Sequence, residues 1–187
     1  MKFKLFISII FFVFIIYGCS SKSNLELKTK SFTQELNQVS TIGTNIGNIP
    51  PDFTVVTTDG KAVTLSDFTE QQKPVIVYFM ATWCPFCAED YAELSKIYQE
   101  YEKNVSFLSI SLDLSEDLNL LREYKKKYPK LQNTMLAAGQ SKILVDYRIT
   151  KTTTKFAIDK NGKILYAGYG VFNEEQWKIL LEAMSSQ

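Results

Sequence analysis

An α/β fold, in which a central mixed sheet is flanked by helices and preceded by a β-hairpin, is what the sequence predicts. Three observations carry that expectation. The run Val75-Ile76-Val77-Tyr78-Phe79-Met80 is continuously apolar and short, as a strand buried on both faces must be. Residues 105–111 alternate as a second strand, and the stretch between the two carries apolar residues at helical spacing. Strand-helix alternation that ends in a hairpin and a helix calls for a mixed sheet covered on both faces. A chain of 187 residues with 45% hydrophobic content suffices for one such domain and its core. No internal repeat is visible.

The domain is expected over residues 46–187. Segments 53–57 and 62–65 flank Thr58-Asp59-Gly60, a hairpin signal with Asp-Gly at the turn. Ser66 and Asp67 are expected to cap a short helical turn. After the buried strand comes a helix over about 85–101, with Pro85 at its first position, where a missing N–H costs nothing. Tyr91, Leu94, Tyr98 and Tyr101 recur at helical spacing, and Asn104 closes the element. Beyond the second strand, Ser115 is expected to cap a helix over 116–128 that Pro129 ends. A short helix is read at 141–147. Residues 154–158 and 163–166 form a hairpin about Asp159-Lys160-Asn161-Gly162. Asn173, with Gln176 three residues on, makes a capping box for a terminal amphipathic helix.

Charge excludes several functions. The chain has 21 basic and 20 acidic residues, and Lys125-Lys126-Lys127 reads as the solvated end of a helix, so no nucleic-acid partner is expected. Histidine is absent, which removes histidine acid–base catalysis and most transition-metal sites.

The N-terminus reads as an export signal. Lys2 and Lys4 precede an apolar stretch, residues 5–17, too short to span a bilayer comfortably. Ile16-Tyr17-Gly18-Cys19 follows, then Ser20-Ser21-Lys22-Ser23. This resembles the bacterial lipoprotein signal, with a small residue before the cysteine that becomes lipidated; Tyr17 is bulkier than usual there. The resemblance implies a signal peptide over 1–18, Cys19 as lipidation site, a polar tether over 19–45, and a location in the cell envelope, outside the cytoplasm. An uncleaved N-terminal anchor, with Cys19 incidental, is the alternative.

Three cysteines are present. With Cys19 lipidated, Cys84 and Cys87 remain, three residues apart and on one helical face. A structural staple gains little at this spacing: the chain-entropy treatment gives about 2 kcal/mol for a four-residue loop against about 4.7 kcal/mol for a hundred-residue one. Zinc needs about four ligands, and neither a second cysteine pair nor a histidine exists to complete a site. Reversible thiol–disulfide exchange is the remaining chemistry. Cys84 precedes the helix, where unpaired N–H groups favour a thiolate, so it is assigned as nucleophile and Cys87, one turn in, as resolving thiol.

Phe79-Met80-Ala81-Thr82-Trp83-Cys84-Pro85-Phe86-Cys87 resembles the active-site segment of thioredoxin-like thiol–disulfide oxidoreductases. The likeness runs from about Ile46 to the C-terminus, and is nearest to the membrane-anchored extracytoplasmic branch used in cytochrome c maturation, within the superfamily that also holds alkyl hydroperoxide reductase and thiol-specific antioxidant. It implies a thioredoxin-like fold with a central insertion between the central strand and Tyr147. It further implies protein thiol or disulfide substrates, a membrane electron-transfer partner, net reduction, no cofactor and a monomer. Trp83 matches the aromatic residue beside the nucleophile. Asp90 matches an acidic position, usually Glu, where a carboxylate tunes the thiols or shuttles a proton; a solvated helix-face acid is the equal alternative. Tyr78 stands where thioredoxin itself has a buried aspartate, so that proton route is expected to be missing.

The main departure faces the thiols. The family places a cis-proline before the strand corresponding to 154–158, and Thr153 occupies that position. A cis bond before Thr costs roughly 3 kcal/mol, so a trans bond is expected, with the Thr153 hydroxyl near Cys84. Two other functions compete. A peroxiredoxin-type peroxidase would need a threonine and an arginine at the cysteine, whereas Thr82 is two residues before Cys84 and the arginines are Arg122 and Arg148. A surface-anchored binding module with an inert disulfide is the non-enzymatic reading. Copper delivery on this scaffold normally adds a histidine.

Overall fold

The computed structural model describes residues 41–186. The expected signal peptide, Cys19 and residues 19–40 of the tether lie outside them. The order of elements is β1 (Thr54–Val56), β2 (Ala62–Thr64), α1 (Leu65–Glu70), β3 (Val75–Met80), α2 (Pro85–Ile97), β4 (Ser106–Ser111), α3 (Leu118–Lys126), β5 (Met135–Ala137), α4 (Ser141–Asp146), β6 (Thr154–Ile158), β7 (Ile164–Gly168) and α5 (Glu174–Ser185). Five strands form one mixed sheet in the order β5-β4-β3-β6-β7. The first three run parallel, and β6 and β7 are antiparallel to their neighbours.

The apolar run of β3 makes it the middle strand, buried at every residue. Its side chains alternate between two cores. Ile76, Tyr78 and Met80 pack with Tyr91 and Leu94 of α2, Leu121 of α3 and Trp177 and Leu181 of α5. Val75, Val77 and Phe79 pack with Phe53 and Val55, Leu65 and Phe68 of α1 and Ile143 of α4. Both faces of the sheet are therefore covered, as the strand pattern required.

The edges are closed by the loops. Thr57 bridges Ala137 of β5, so the separate β1–β2 hairpin covers that edge. On the other side Gly47 N–H donates to Ile164 O and Ile164 N–H to Asn48 O, each within 3.0 Å, so the leading segment covers β7.

Several local expectations are corrected. Strand β5 went unrecognised because three residues between loops carry no readable period. Helix α3 starts at Leu118 and is capped by Asp117, whose carboxylate accepts from the N–H groups of Asn119 and Leu120. The expected cap, Ser115, bonds instead to Asp113, and Glu116 is drawn into the interior. Helix α1 begins two residues early: Thr64 is its cap, and Asp67 is the box acid accepting from Thr64 N–H at 2.8 Å. The predicted helix 85–101 ends as α-helix at Ile97 and tightens into a 3₁₀ turn over Tyr98–Glu100. The Asn173–Gln176 capping box of α5 is present as expected.

Candidate active site

The Cys84–Cys87 pair lies just past the C-terminal end of β3, where that strand has β4 on one side and β6 on the other. Crevices of α/β sheets open at such points. Cys84 is the N-cap of α2 and Pro85 its first residue. The cap geometry turns the Cys87 N–H onto Cys84 Sγ at 3.3 Å. Both cysteines are free thiols here; Cys84 is 3% exposed and Cys87 fully buried.

The two thiols are driven apart. Burial alone would raise the Cys84 thiol, but it is held below its ordinary value by hydrogen bonds from the Thr152 hydroxyl, the Cys87 thiol and the N–H groups of Cys87 and Phe86. Cys87 is pushed up to about 11, first by burial and then by its hydrogen bond to Cys84. One sulfur is thus prepared to ionise and the other to stay protonated until its partner has reacted.

Trp83 is exposed at the rim of the site, its Nε1–H donating to Asp113 Oδ2 at 2.8 Å. The loop before Cys84 is tied from beneath by Glu116. Oε1 accepts from Thr82 N (2.8 Å) and Thr82 Oγ1 (2.5 Å), and Oε2 accepts from Ser111 Oγ (2.5 Å).

The position of the family proline differs from expectation in one respect. No cis peptide occurs among the described residues, as anticipated, but Thr153 adopts φ +59°, a left-handed conformation that a β-branched residue rarely takes. Its hydroxyl does not reach Cys84. It donates to Thr152 O (2.6 Å) and accepts from Gly170 N–H (3.0 Å). The turn aims the preceding side chain instead, and Cys84 Sγ lies 3.2 Å from Thr152 Oγ1.

Asp90 is 1% exposed, which removes the reading of a solvated surface acid. Oδ2 accepts from Lys155 Nζ (2.5 Å) and Tyr78 Oη (3.1 Å), and Oδ1 from Phe172 N (2.8 Å) and Trp177 Nε1 (3.1 Å). The Tyr78 phenol that donates to Asp90 also lies close enough to Cys87 for the two groups to perturb each other's ionisation. Burial, then the Asp90 charge, push this phenol well above its ordinary value.

Thr152, Lys155, Asp113 and Glu116 were missed by sequence reasoning. Thr152 was masked by its identical neighbour. Lys155 is the one charged residue of an otherwise apolar-facing strand, a signal that was readable. Asp113 and Glu116 carry no local mark.

Beside Cys84 an open groove of about 580 Å³ runs between Trp83 and Phe86 on one side and Thr150–Thr153 and Tyr169–Val171 on the other. Its exposed Trp83, Phe86 and Tyr169 rings offer an apolar floor for a polypeptide segment. Among the described residues, no cluster of histidine, cysteine and acidic side chains could hold a metal ion, and no helix is long and apolar enough to cross a membrane.

Known proteins are similar to this chain in sequence and fold. The model of the AhpC/TSA family matches residues 46–167. The thiol-disulfide oxidoreductase ResA of Bacillus anthracis is 31% identical over 134 residues, covering 70% of this chain and 73% of that protein. Peroxiredoxin Q of Oryza sativa subsp. japonica is 30% identical over 139 residues, covering 70% of this chain and 61% of its own. A solved structure of a putative thiol:disulfide interchange protein DsbE from Chlorobium tepidum superposes with a TM-score of 0.65 at 22% identity, over 76% of this chain and 99% of that one. From the family match, these relatives and the shared architecture, the chain belongs to the AhpC/TSA family and is a thioredoxin-like thiol–disulfide oxidoreductase.

Proposed function

We propose that this protein reduces disulfides of other proteins outside the cytoplasm, held at a membrane by lipid on Cys19, with Cys84 as nucleophile and Cys87 as resolving thiol. The observation that carries the reading is the opposed tuning of the pair: hydrogen bonds lower the Cys84 thiol while burial raises Cys87. A substrate segment docks along the Trp83–Phe86 groove opposite Thr152–Thr153. Cys84 thiolate attacks one sulfur of the substrate disulfide, and the other sulfur leaves with the bond's electron pair. Cys87 then attacks Cys84 Sγ, closing the Cys84–Cys87 disulfide and releasing the second substrate sulfur as a thiol. The protein is oxidised by two electrons and the substrate reduced by two. A membrane electron-transfer partner restores the dithiol, a cycle suited to cytochrome c maturation.

Trp83 and Pro85 shape the rim and the helix start, and Asp90 and Thr153 support the pair from below and opposite. The segment 19–45 serves as tether, and the domain acts as a monomer.

The experiment is disulfide reduction with insulin as substrate. Wild type turns over, Cys84→Ser is inactive, and Cys87→Ser accumulates a mixed disulfide on Cys84. Equal loss without a trapped adduct in Cys87→Ser defeats the assignment of roles. A pair whose potential lies below about −300 mV and resists mild reductant favours the inert binding module.

The likeness to peroxiredoxin Q favours one second reading, reduction of hydrogen peroxide. Against it, Thr82 is engaged by Glu116, and the Arg122 guanidinium donates to Thr58 O. Peroxide consumption that outpaces insulin reduction would establish it.

A further inference from the structure

The groove beside Cys84 is walled on one side by two loops, one ahead of β6 and one behind β7. Antiparallel pairing of Lys155 with Gly168 brings the two loops together, and Gly170 N–H joins them by donating to Thr153 Oγ1 at 3.0 Å. Lys151 and Tyr169 stand on that wall, both exposed.

Among the residues that line the groove, Lys151 alone is charged. Its ammonium lies 3.8 Å from the centroid of the Tyr169 ring, a cation–π contact. Among the described residues no carboxylate pairs with it. Asp113, which holds Trp83 on the opposite side, is engaged elsewhere. Its Oδ2 accepts from Trp83 Nε1–H (2.8 Å), and its Oδ1 accepts from the Ser115 N–H (3.0 Å) and hydroxyl (2.6 Å). An exposed cation–π contact is weak and open to exchange. The Lys151 ammonium therefore stands ready for a counter-charge that the groove itself lacks.

Its position sets which counter-charge reaches it. A disulfide about to react must bring one sulfur to Cys84 Sγ, and Thr152 Oγ1 lies 3.2 Å from that atom. Lys151 adjoins Thr152, with about 3.8 Å between their Cα atoms. A substrate side chain about one to three residues from the reacting cysteine, laid along this wall, comes within reach of the ammonium. Trp83 and Phe86 opposite meet the apolar neighbours of that residue.

We infer that Lys151 is a specificity residue, selecting polypeptide substrates that carry a carboxylate beside the reactive disulfide: on docking, the ammonium leaves the Tyr169 ring for the substrate acid. The inference rests on the proposed exchange reaction and names its substrate class. Lys151 makes and breaks no bond in that reaction; it acts on encounter and docking. A charge at the rim of an interface works chiefly on association, and salt weakens it. An ammonium on a flexible stem is a point charge without fixed geometry, so Asp and Glu serve alike.

The test uses three synthetic peptides, each closed by one intramolecular disulfide and identical except that the residues next to the cysteines are Glu, Gln or Lys. Reduced protein in excess converts the disulfide to a dithiol, and acid quench with chromatography reads the rate. Dividing each rate by that of the Gln peptide cancels any general effect of a substitution on Cys84, and comparing variants cancels the peptides' own reactivity. At low salt, wild type is expected to reduce the Glu peptide about fivefold faster than the Lys peptide, the size of effect a solvent-facing ion pair produces. Lys151→Glu is expected to reverse the order, Lys151→Gln to level it and Lys151→Arg to keep it. The wild-type preference is expected to fade from about 0.01 M to about 1 M salt, as the screening length falls from about 30 Å to about 3 Å.

The same Glu-to-Lys ratio in wild type and Lys151→Glu overturns the inference. A preference that salt leaves intact does so too, because the groove then selects by shape. A protein that reduces no peptide overturns the reductase reading and this selection with it. Equal rates with all three peptides keep that reading and remove only the selection.

Discussion

The Thr152 hydroxyl is the most direct lever on the nucleophile, and Thr152→Val removes it while preserving shape. Cys84 is 3% exposed, so little water is at hand to replace a lost donor. Four contacts hold the ionised sulfur: the Thr152 hydroxyl, the Cys87 thiol and two backbone N–H groups. A hydrogen bond to a charged group is worth about 1.5–3 kcal/mol, and a diffuse sulfur acceptor at 3.2 Å belongs at the low end. At about 1.4 kcal/mol per unit, the Cys84 pKa is expected to rise by about one unit. The sign is plain: the hydroxyl stabilises the thiolate, so its loss favours the thiol and leaves less nucleophile at any pH below the pKa. Iodoacetamide alkylation of the reduced protein, followed from acid to alkaline pH, reads this directly. Below the pKa the Thr152→Val rate should fall about tenfold while the alkaline plateau stays put. Thr152→Ser keeps a hydroxyl and should track wild type. A shift under about 0.3 unit, or an equal shift in Thr152→Ser, refutes the claim that this hydroxyl tunes the sulfur.

Thr153→Pro demands φ near −65° where the chain takes +59°, and should lower the urea-unfolding free energy by about 2–3 kcal/mol; Thr153→Asn, which tolerates the left-handed region, should cost under about 1 kcal/mol. A Thr153→Pro protein as stable as wild type would mean the strain is not there. Glu116→Ala leaves the Thr82 N–H and hydroxyl without their acceptor and should destabilise by about 2–3 kcal/mol in the same assay, whereas an unchanged midpoint would remove Glu116 as the strap under the Cys84 loop. Cys87 gives an alkaline signature. Its pKa is raised in the fold, from 9.0 to about 11, so between those values the unfolded chain has lost a proton that the native one keeps, and stability falls as pH rises. The depressed Cys84 acts with the opposite sign and its contribution is complete only about one unit above 9.0, which leaves the upper half of the window to Cys87. Reduced wild type should therefore lose about 2 kcal/mol more than Cys87→Ala between pH 9 and 11, and parallel pH profiles would contradict a buried, protonated Cys87.

Elements with a strong local signature were legible. Six consecutive apolar residues could only be a buried middle strand, and the Asn173–Gln176 box marked its helix to the residue. The caps of α1 and α3 were misplaced by a few residues because serine, threonine and aspartate compete for the same backbone donors within a single turn. Which of them wins depends on the packing of the segment that follows: Glu116 leaves the helix because Thr82 and Ser111 wait for it across the fold. Strand β5 exists because β4 offers it an open edge, a partner invisible from three residues of sequence.

The reaction class followed from the sequence alone. Spacing, helix position and the lack of other ligands are local facts, and they single out Cys84 and Cys87 as the proposed redox couple. What tunes the couple came from the tertiary structure. Thr152 rather than Thr153 meets the nucleophile because one residue in the left-handed region redirects its neighbour. Asp90 reads equally well as a solvated acid until Lys155, sixty-five residues away, is brought against it by the pairing of β6 with β3. A cysteine pair announces its chemistry by its own atoms, whereas its pKa values depend on charges and donors that only the folded chain brings within reach.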